Sequence, residues 1–113
     1  MLKKKYRLTK RKQFNYIYRK GRSAASDILT LVFSYCKMKN IKVGFSASKK
    51  VGGSVQRHRA LRLMREAVKP FIDKMTPNHN YIFVAKDTLL GKHLEEIKKS
   101  VRHVLTRAGL LCV

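Results

Sequence analysis

The sequence predicts an α/β (α+β) fold: a two-layer sandwich of helices packed on a small mixed sheet, in the order α-β-β-β-α-β-α. Three observations carry that prediction. Residues 28–35 and 41–47 alternate apolar and polar side chains, the period of a half-buried strand. Residues 54–69 and 92–108 repeat their apolar side chains at helical spacing. Residues 81–85, Tyr-Ile-Phe-Val-Ala, are short, β-rich and apolar on both sides, as in a central strand. With 113 residues, 44% of them apolar, the chain forms one domain (1–113) with a real core. Residues 1–8 read as a loose basic arm.

Each element has a local reason. Thr9 is a candidate cap for a first helix that runs to Lys20 and stops at Gly21. Phe14, Ile17 and Tyr18 share one face of it, while Tyr16 points elsewhere. Spacing alone makes Phe14 and Tyr18 core residues. The alternative is an aromatic face open to a groove, ringed by Lys10, Arg11, Lys12, Arg19 and Lys20 and stacking on unpaired bases. A short strand fits 22–26. In 28–35, Leu29, Leu31, Phe33 and Tyr35 form a core-like face, and Thr30, Val32 and Ser34 form the other. Residues 37–40 read as a polar hairpin connection. Ile41, Val43, Phe45 and Ala47 then alternate with Lys42, Gly44, Ser46 and Ser48.

The turn Lys49-Lys50-Val51-Gly52-Gly53 leads to Ser54, a candidate N-cap. The helix that follows phases cleanly. His58, Arg59, Arg62, Arg65, Glu66 and Lys69 fall on one arc, and Ala60, Leu61, Leu63, Met64, Ala67 and Val68 on the other, with only Arg57 out of phase. A solvated helix face usually mixes signs, because like charges one turn apart repel. Here three arginines follow at i+3 with one acid, which points to an anionic partner. The helix ends near 70–75, and 76–80 is a loop by composition. If the strands at Ile41 and Tyr81 are parallel neighbours, the arginine helix is their crossover, right-handed by the general rule. Leu94, Ile97, Val101, Val104 or Leu105, and Ala108 mark the last helix, which Gly109 ends.

The balance of 27 Lys+Arg against 6 Asp+Glu gives a formal charge of +21, spread along the chain. Such self-repulsion is the mark of a nucleic-acid partner that meets the protein on more than one side. No apolar run is long enough to cross a bilayer, no helix has the large apolar face a membrane surface requires, and the basic N-terminus lacks a signal-peptide core. Cys36 and Cys112 are far apart and read as free thiols, which places the protein in the cytoplasm. Two-metal hydrolysis needs clustered carboxylates, but Asp27, Glu66, Asp73, Asp87, Glu95 and Glu96 are scattered, so no catalytic residue is assigned. His58, His79, His93 and His103 lack zinc spacing, so no protein metal ligand is assigned, and His79, His93 and His103 read as ordinary polar or capping histidines. Gly52-Gly53 lacks the spacing of a nucleotide-binding P-loop, though its amides can meet a backbone phosphate. A strand, not a helix, precedes the arginine helix, against a DNA-reading helix-turn-helix, and the strands are too few for a closed barrel. RNA is therefore the expected nucleic acid, and DNA is not.

Between Val43 and Glu66 the sequence resembles the protein subunit of bacterial ribonuclease P. The run is Gly44-Phe45-Ser46-Ala47-Ser48-Lys49-Lys50-Val51-Gly52, then Val55, Arg57, Arg59, Arg62, Arg65 and Glu66. The segment from Leu8 to Gly21 is similar to the family's first helix, with Phe14 and Tyr18 at its aromatic positions. The resemblance implies a ribosomal protein S5 domain 2-like sandwich whose crossover is left-handed, against the general rule. It implies docking on a large catalytic RNA through Lys49, Lys50, Arg57, His58, Arg59, Arg62 and Arg65. It implies a leader-binding cleft, with Phe14, Tyr18, Lys10, Arg11, Ser46 and Ser48, for the single-stranded 5′ leader of precursor tRNA. Hydrolysis would be done by Mg²⁺ bound mainly by the RNA, and one monomeric protein would pair with one RNA. The alternative is a basic ribosomal-type RNA-binding protein without an enzymatic role. The sequence departs from the family's run where His58 and Gly53 replace asparagines and Leu61 replaces a lysine. His58 can carry charge, which would make RNA affinity depend on pH. The family often has an aromatic on the cleft face of the sheet, where this chain offers only Thr30, Val32 and Ser34.

Overall fold

The computed structural model describes residues 6–37 and 41–111. The elements are α1 (Arg11–Lys20), β1 (Arg22–Ala25), β2 (Leu29–Tyr35), β3 (Ile41–Ala47), α2 (Ser54–Val68), a 3-10 segment (Lys69–Lys74), β4 (His79–Ala85), a 3-10 turn (Leu89–Gly91) and α3 (Leu94–Ala108). The four strands form one mixed sheet in the order β1-β2-β4-β3. β1 pairs antiparallel with β2, β2 antiparallel with β4, and β3 parallel with β4. The apolar run at 81–85 thus takes the central slot, where both faces are covered.

The period of two divides the sheet into faces. Leu29, Leu31, Val43, Tyr81, Phe83 and Ala85 are buried with Ala60, Met64, Ala67 and Val68 of α2 and Ile97, Val101, Val104 and Leu105 of α3. This is the main core, and each large side chain buried in it contributes about 1.5–3 kcal/mol. The Tyr81 hydroxyl in that core donates to the Thr76 carbonyl at 2.6 Å, so burying the ring strands no polar atom. The opposite face holds a second cluster, Leu8, Ile17 and Ile82, with Phe14, Val32 and Val84 packed on it. That face carries α1.

Val43 turns its side chain into the main core and its carbonyl outward, where it accepts the Leu8 N–H at 2.9 Å. For an L-residue these two directions put β4 to the left of β3 when both strands run upward and α2 faces the viewer. The β3–α2–β4 crossover is therefore left-handed, against the general rule and as the resemblance implies.

Several local expectations need correction. Residues 37–40 do not close a hairpin between β2 and β3, because β4 lies between those strands; residues 38–40 lie outside the described residues. Helix α1 begins one residue later than expected, with Lys10 at the N-cap position, and no side chain caps it. Gly53, not Ser54, is the N-cap of α2, again without a side-chain bond. In the arm, Leu8 is buried and Arg7 bridges Val43, so residues 7–8 are fixed to the β3 edge. The rest of the arm, residues 1–5, and Cys112 lie outside the described residues. Cys36 is half-buried and in no disulfide.

Candidate nucleic-acid interface

The cationic surface is built by α2 and the turn before it. Burying Ala60, Met64, Ala67 and Val68 fixes the rotation of α2 and leaves His58, Arg59, Arg62, Arg65 and Glu66 exposed, as the phasing requires. Arg57 is half-buried, and its Nε is buried with no hydrogen-bond partner. It lines a shallow hollow with Ala47, Ser54, His58 and Leu61. In the preceding turn, the Ser48 Oγ accepts the Lys50 N–H at 3.3 Å and the Ser48 carbonyl accepts the Val51 N–H at 3.1 Å. Val51 is buried and anchors the turn, while Lys49 and Lys50 stay exposed. Gly52 holds φ +144°, in the region an L-side chain avoids. The exposed Ser48 side chain thus helps to shape the lysine turn.

Lys98 pairs with Glu95 on α3 at 3.4 Å, whereas among the described residues no acid pairs with Arg57, Arg59, Arg62 or Arg65 of α2. The first turns of both α1 and α2 lack an acid. Lys10, Arg11 and Lys12 crowd the positive end of α1, and Arg57 and His58 that of α2. A helix N-terminus favours negative charge by about 0.3–1 kcal/mol per group, so these ends carry the disfavoured sign.

A groove lies at the β3 edge. Arg7, Leu8, Thr9, Phe14, Val43, Gly44, Phe45 and Arg65 line it. Gly44 makes it possible: a Cβ there would sit 2.5 Å from Cζ of Phe14. The missing side chain lets the tip of the half-buried Phe14 ring close on β3. Tyr18 is 44% exposed, with its ring centroid 6.4 Å from that of Phe14, so the pair is neither fully core nor free of it. Half-buried Ser46 is two residues beyond Gly44 on the same face, and Lys10 and Arg11 are exposed at the adjacent end of α1. The guanidinium of Arg65 sits 5.8 Å from the centroid of Phe45. Arg65 therefore joins the arginine face to the groove.

The resemblance groups Phe14, Tyr18, Lys10, Arg11, Ser46 and Ser48 in one cleft; of these Phe14 lines the groove at the β3 edge, Tyr18 lies beside Phe14, and Ser48 lies past the end of β3 in the lysine turn. The sequence reading assigns no groove role to Arg7, Thr9, Gly44, Phe45 or Arg65. The signal for Gly44 was present: it is a glycine inside an alternating strand, where a close approach is the usual explanation. Ile82 and Val84 join Thr30, Val32, Gly44 and Ser46 on the α1 side of the sheet, so no aromatic residue of the sheet faces that side. Among the described residues no three His, Cys, Asp or Glu side chains come together as a metal site. Glu95 pairs with Lys98, Glu96 accepts the His93 N–H, and His93 caps α3.

Fold and site together define a class: a basic α/β protein with an arginine-lined helix face beside an aromatic groove, and no carboxylate cluster for hydrolysis among its described residues. Residues 2–109 match the family described as Ribonuclease P, and the chain belongs to that family. A ribonuclease P protein component from an Exiguobacterium species is 35% identical over 107 residues, covering 95% of this chain and 93% of that protein. The one from Clostridium kluyveri is 37% identical over 108 residues, covering 93% and 96%. The solved Staphylococcus aureus RNase P protein superposes with a TM-score of 0.83 at 29% identity, covering 94% of this chain and 97% of its own. The Thermotoga maritima protein, 17% identical with 89% and 96% covered, shares the fold at a TM-score of 0.79. The chain is thus an accessory protein subunit of the endoribonuclease ribonuclease P and a partner of its RNA; the ribosomal-type alternative is not favoured.

Proposed function

We propose that the two halves of this interface divide the work of the ribonucleoprotein. The α2 face, with Arg59, Arg62 and Arg65 beside Lys49, Lys50, Arg57 and His58, docks on the ribonuclease P RNA. The groove with Phe14, Tyr18, Lys10, Arg11 and Ser46 takes the single-stranded 5′ leader of precursor tRNA. Cleavage of the leader then yields mature tRNA 5′ ends. Mg²⁺ for hydrolysis is held mainly by the RNA; among the described residues no three His, Cys, Asp or Glu side chains come together as a metal site. The protein binds and orients. It works as a monomer with one RNA, in the cytoplasm; no helix among the described residues is long and apolar enough to cross a membrane.

One observation carries this reading: Arg65 belongs at once to the exposed α2 face and to the wall of the Phe14–Gly44 groove. A phosphate held by Arg65 therefore lies beside a base held by Phe14, so RNA docking and leader capture share a boundary. The test is reconstitution with the cognate RNA at low Mg²⁺. Protein alone should leave precursor tRNA intact, and the complex should cut it at the 5′ end. Phe14→Ala should weaken leader-bearing precursor by about 1–3 kcal/mol, the worth of a base on an aromatic ring, and leave mature tRNA unchanged. Equal losses on both would return Phe14 to a purely structural role.

A further inference from the structure

Helix α1 has a second aromatic flank. Of the exposed large apolar side chains among the described residues, Tyr18 lies beside Phe14 of the leader groove, whereas Tyr16, 51% exposed, and Tyr35, 64% exposed, lie away from it. Tyr16 and Tyr35 instead line two adjoining hollows at the far end of the sheet. One, of about 390 Å³, is completed by Lys20, Arg22, Phe33, Ser34 and His79. The other is completed by Cys36, Lys37 and Asn80.

The topology explains the notch. The β1–β2 register starts at Arg22↔Phe33, so β1 gives way to α1 just where β2 continues through Ser34 to Tyr35. The Leu29 carbonyl accepts the Ser26 N–H at 2.8 Å, on the β1 side. Alternation then turns the backbone N–H and C=O of Tyr35 to that same side, with no strand opposite them. The Tyr35 ring is braced from behind: the His79 ring stacks on it at 5.8 Å and 28°. His79 is itself fixed by an Nδ1 bond to the Pro77 carbonyl at 2.9 Å. Ser34 adds a hydroxyl with no hydrogen-bond partner in the wall. Lys20, Arg22 and Lys37 are exposed around the rim, and no acid lines either hollow. A braced aromatic face, an unpaired strand edge and a cationic rim are what an unpaired nucleobase and its phosphates require.

We infer that this notch is a second base-stacking site for the precursor leader, taking a nucleotide upstream of those in the Phe14 groove. The inference rests on the leader-binding reading above. Continuity favours the leader over any other strand. Gly44 and Val32 share a row across β4, and Tyr35 is three residues beyond Val32. Strand spacing and rise put Gly44 and Tyr35 about 14 Å apart in the plane of the sheet, and the strand would round the end of β1 to reach the Tyr35 ring on the other face, a path a few nucleotides span.

The experiment uses the reconstituted holoenzyme and precursor tRNAs whose leaders are shortened stepwise from the 5′ end. Tyr35→Ala should weaken the long-leader precursor by about tenfold, with Tyr35→Phe near wild type because the ring face is kept. The Tyr35→Ala defect should vanish once the leader no longer reaches the notch, while the Phe14→Ala defect persists on the short leader. A Tyr35→Ala defect in assembly with the ribonuclease P RNA that ignores leader length would overturn the inference, since the occupant would be the RNA subunit. Wild-type behaviour of Tyr35→Ala on every leader, with Phe14→Ala still impaired, would also overturn it and leave the groove reading standing. Loss of both defects would remove the groove reading and the notch together.

Discussion

Helices α2 and α3 are both 15 residues long and pack on the same face of the sheet, yet their ends are built on opposite electrostatic plans. Helix α3 is finished by the protein itself. Its first turn carries Glu95 and Glu96, His93 and Glu96 form a reciprocal capping box, Arg107 lies in the last turn, and Gly109 closes the end at φ +73°. Helix α2 has no side-chain cap and no acid in its first turn, and it stacks Arg59, Arg62 and Arg65 at i+3. What α3 takes from its own side chains, α2 leaves for an outside anion to supply. On the docking role proposed for α2, the difference separates a helix built for the fold from one built for a partner, even though both bury an apolar stripe in one core.

The largest break in this comparison comes from removing charge from each helix. Arg59→Ala with Arg62→Ala should lower affinity for the ribonuclease P RNA about a hundredfold, taking about 1.5 kcal/mol for each charged contact. The same pair should flatten the plot of log affinity against log salt by about two units. Lys99→Ala with Arg102→Ala removes equal charge from α3 and should change the slope by well under half as much. Equal slopes from the two pairs would mean that net charge, not the α2 face, governs binding.

A smaller effect sharpens the boundary between helix face and groove. In Gly44→Ala the new Cβ collides with Phe14 Cζ, so the ring must leave β3. Overpacking of this kind costs about 1–3 kcal/mol of stability, read in thermal melts. Leader-dependent affinity should fall while RNA docking through Arg59 and Arg62 is kept. Equal loss of both would show that the two surfaces are one.

The smallest effect tests the helix ends. Glu96→Ala breaks the α3 capping box and should cost about 1 kcal/mol of stability with RNA binding unchanged. Gln56→Glu adds an acid to the first turn of α2 and should gain about 0.3–1 kcal/mol of stability while weakening RNA binding. A stabilised protein that binds RNA better would contradict the plan assigned to α2.

The sequence makes the core and the cationic face legible because both depend on periodicity. Leu29, Leu31, Val43, Phe83 and Met64 are buried where a period of two or of 3.6 puts them, and Arg57 is out of phase in the structure as in the pattern. Strand order is less legible. Nothing local in β2 or β3 says that β4 inserts between them, so 37–40 resembles a hairpin connection when read alone. The handedness of the crossover comes through resemblance, since the general rule gives the opposite hand. Helix starts also mislead: Thr9 and Ser54 are good capping residues by type, but the chain places Lys10 and Gly53 at the caps. The groove is half legible. Phe14 and Tyr18 share a helix face, but the far wall gathers Arg65, Gly44 and the arm at Arg7 from three separate segments, which no local spacing encodes.

The central claim is that α2 is completed by RNA and α3 by the protein. Amide hydrogen exchange of the protein, free and bound to its cognate ribonuclease P RNA, measures this directly. Fast exchange is expected in the first turns of α2 in the free protein, with strong slowing there on binding and an α3 already protected and little changed. An α2 N-terminus as protected as that of α3 before RNA is added, or slowing confined to α3, would contradict the claim.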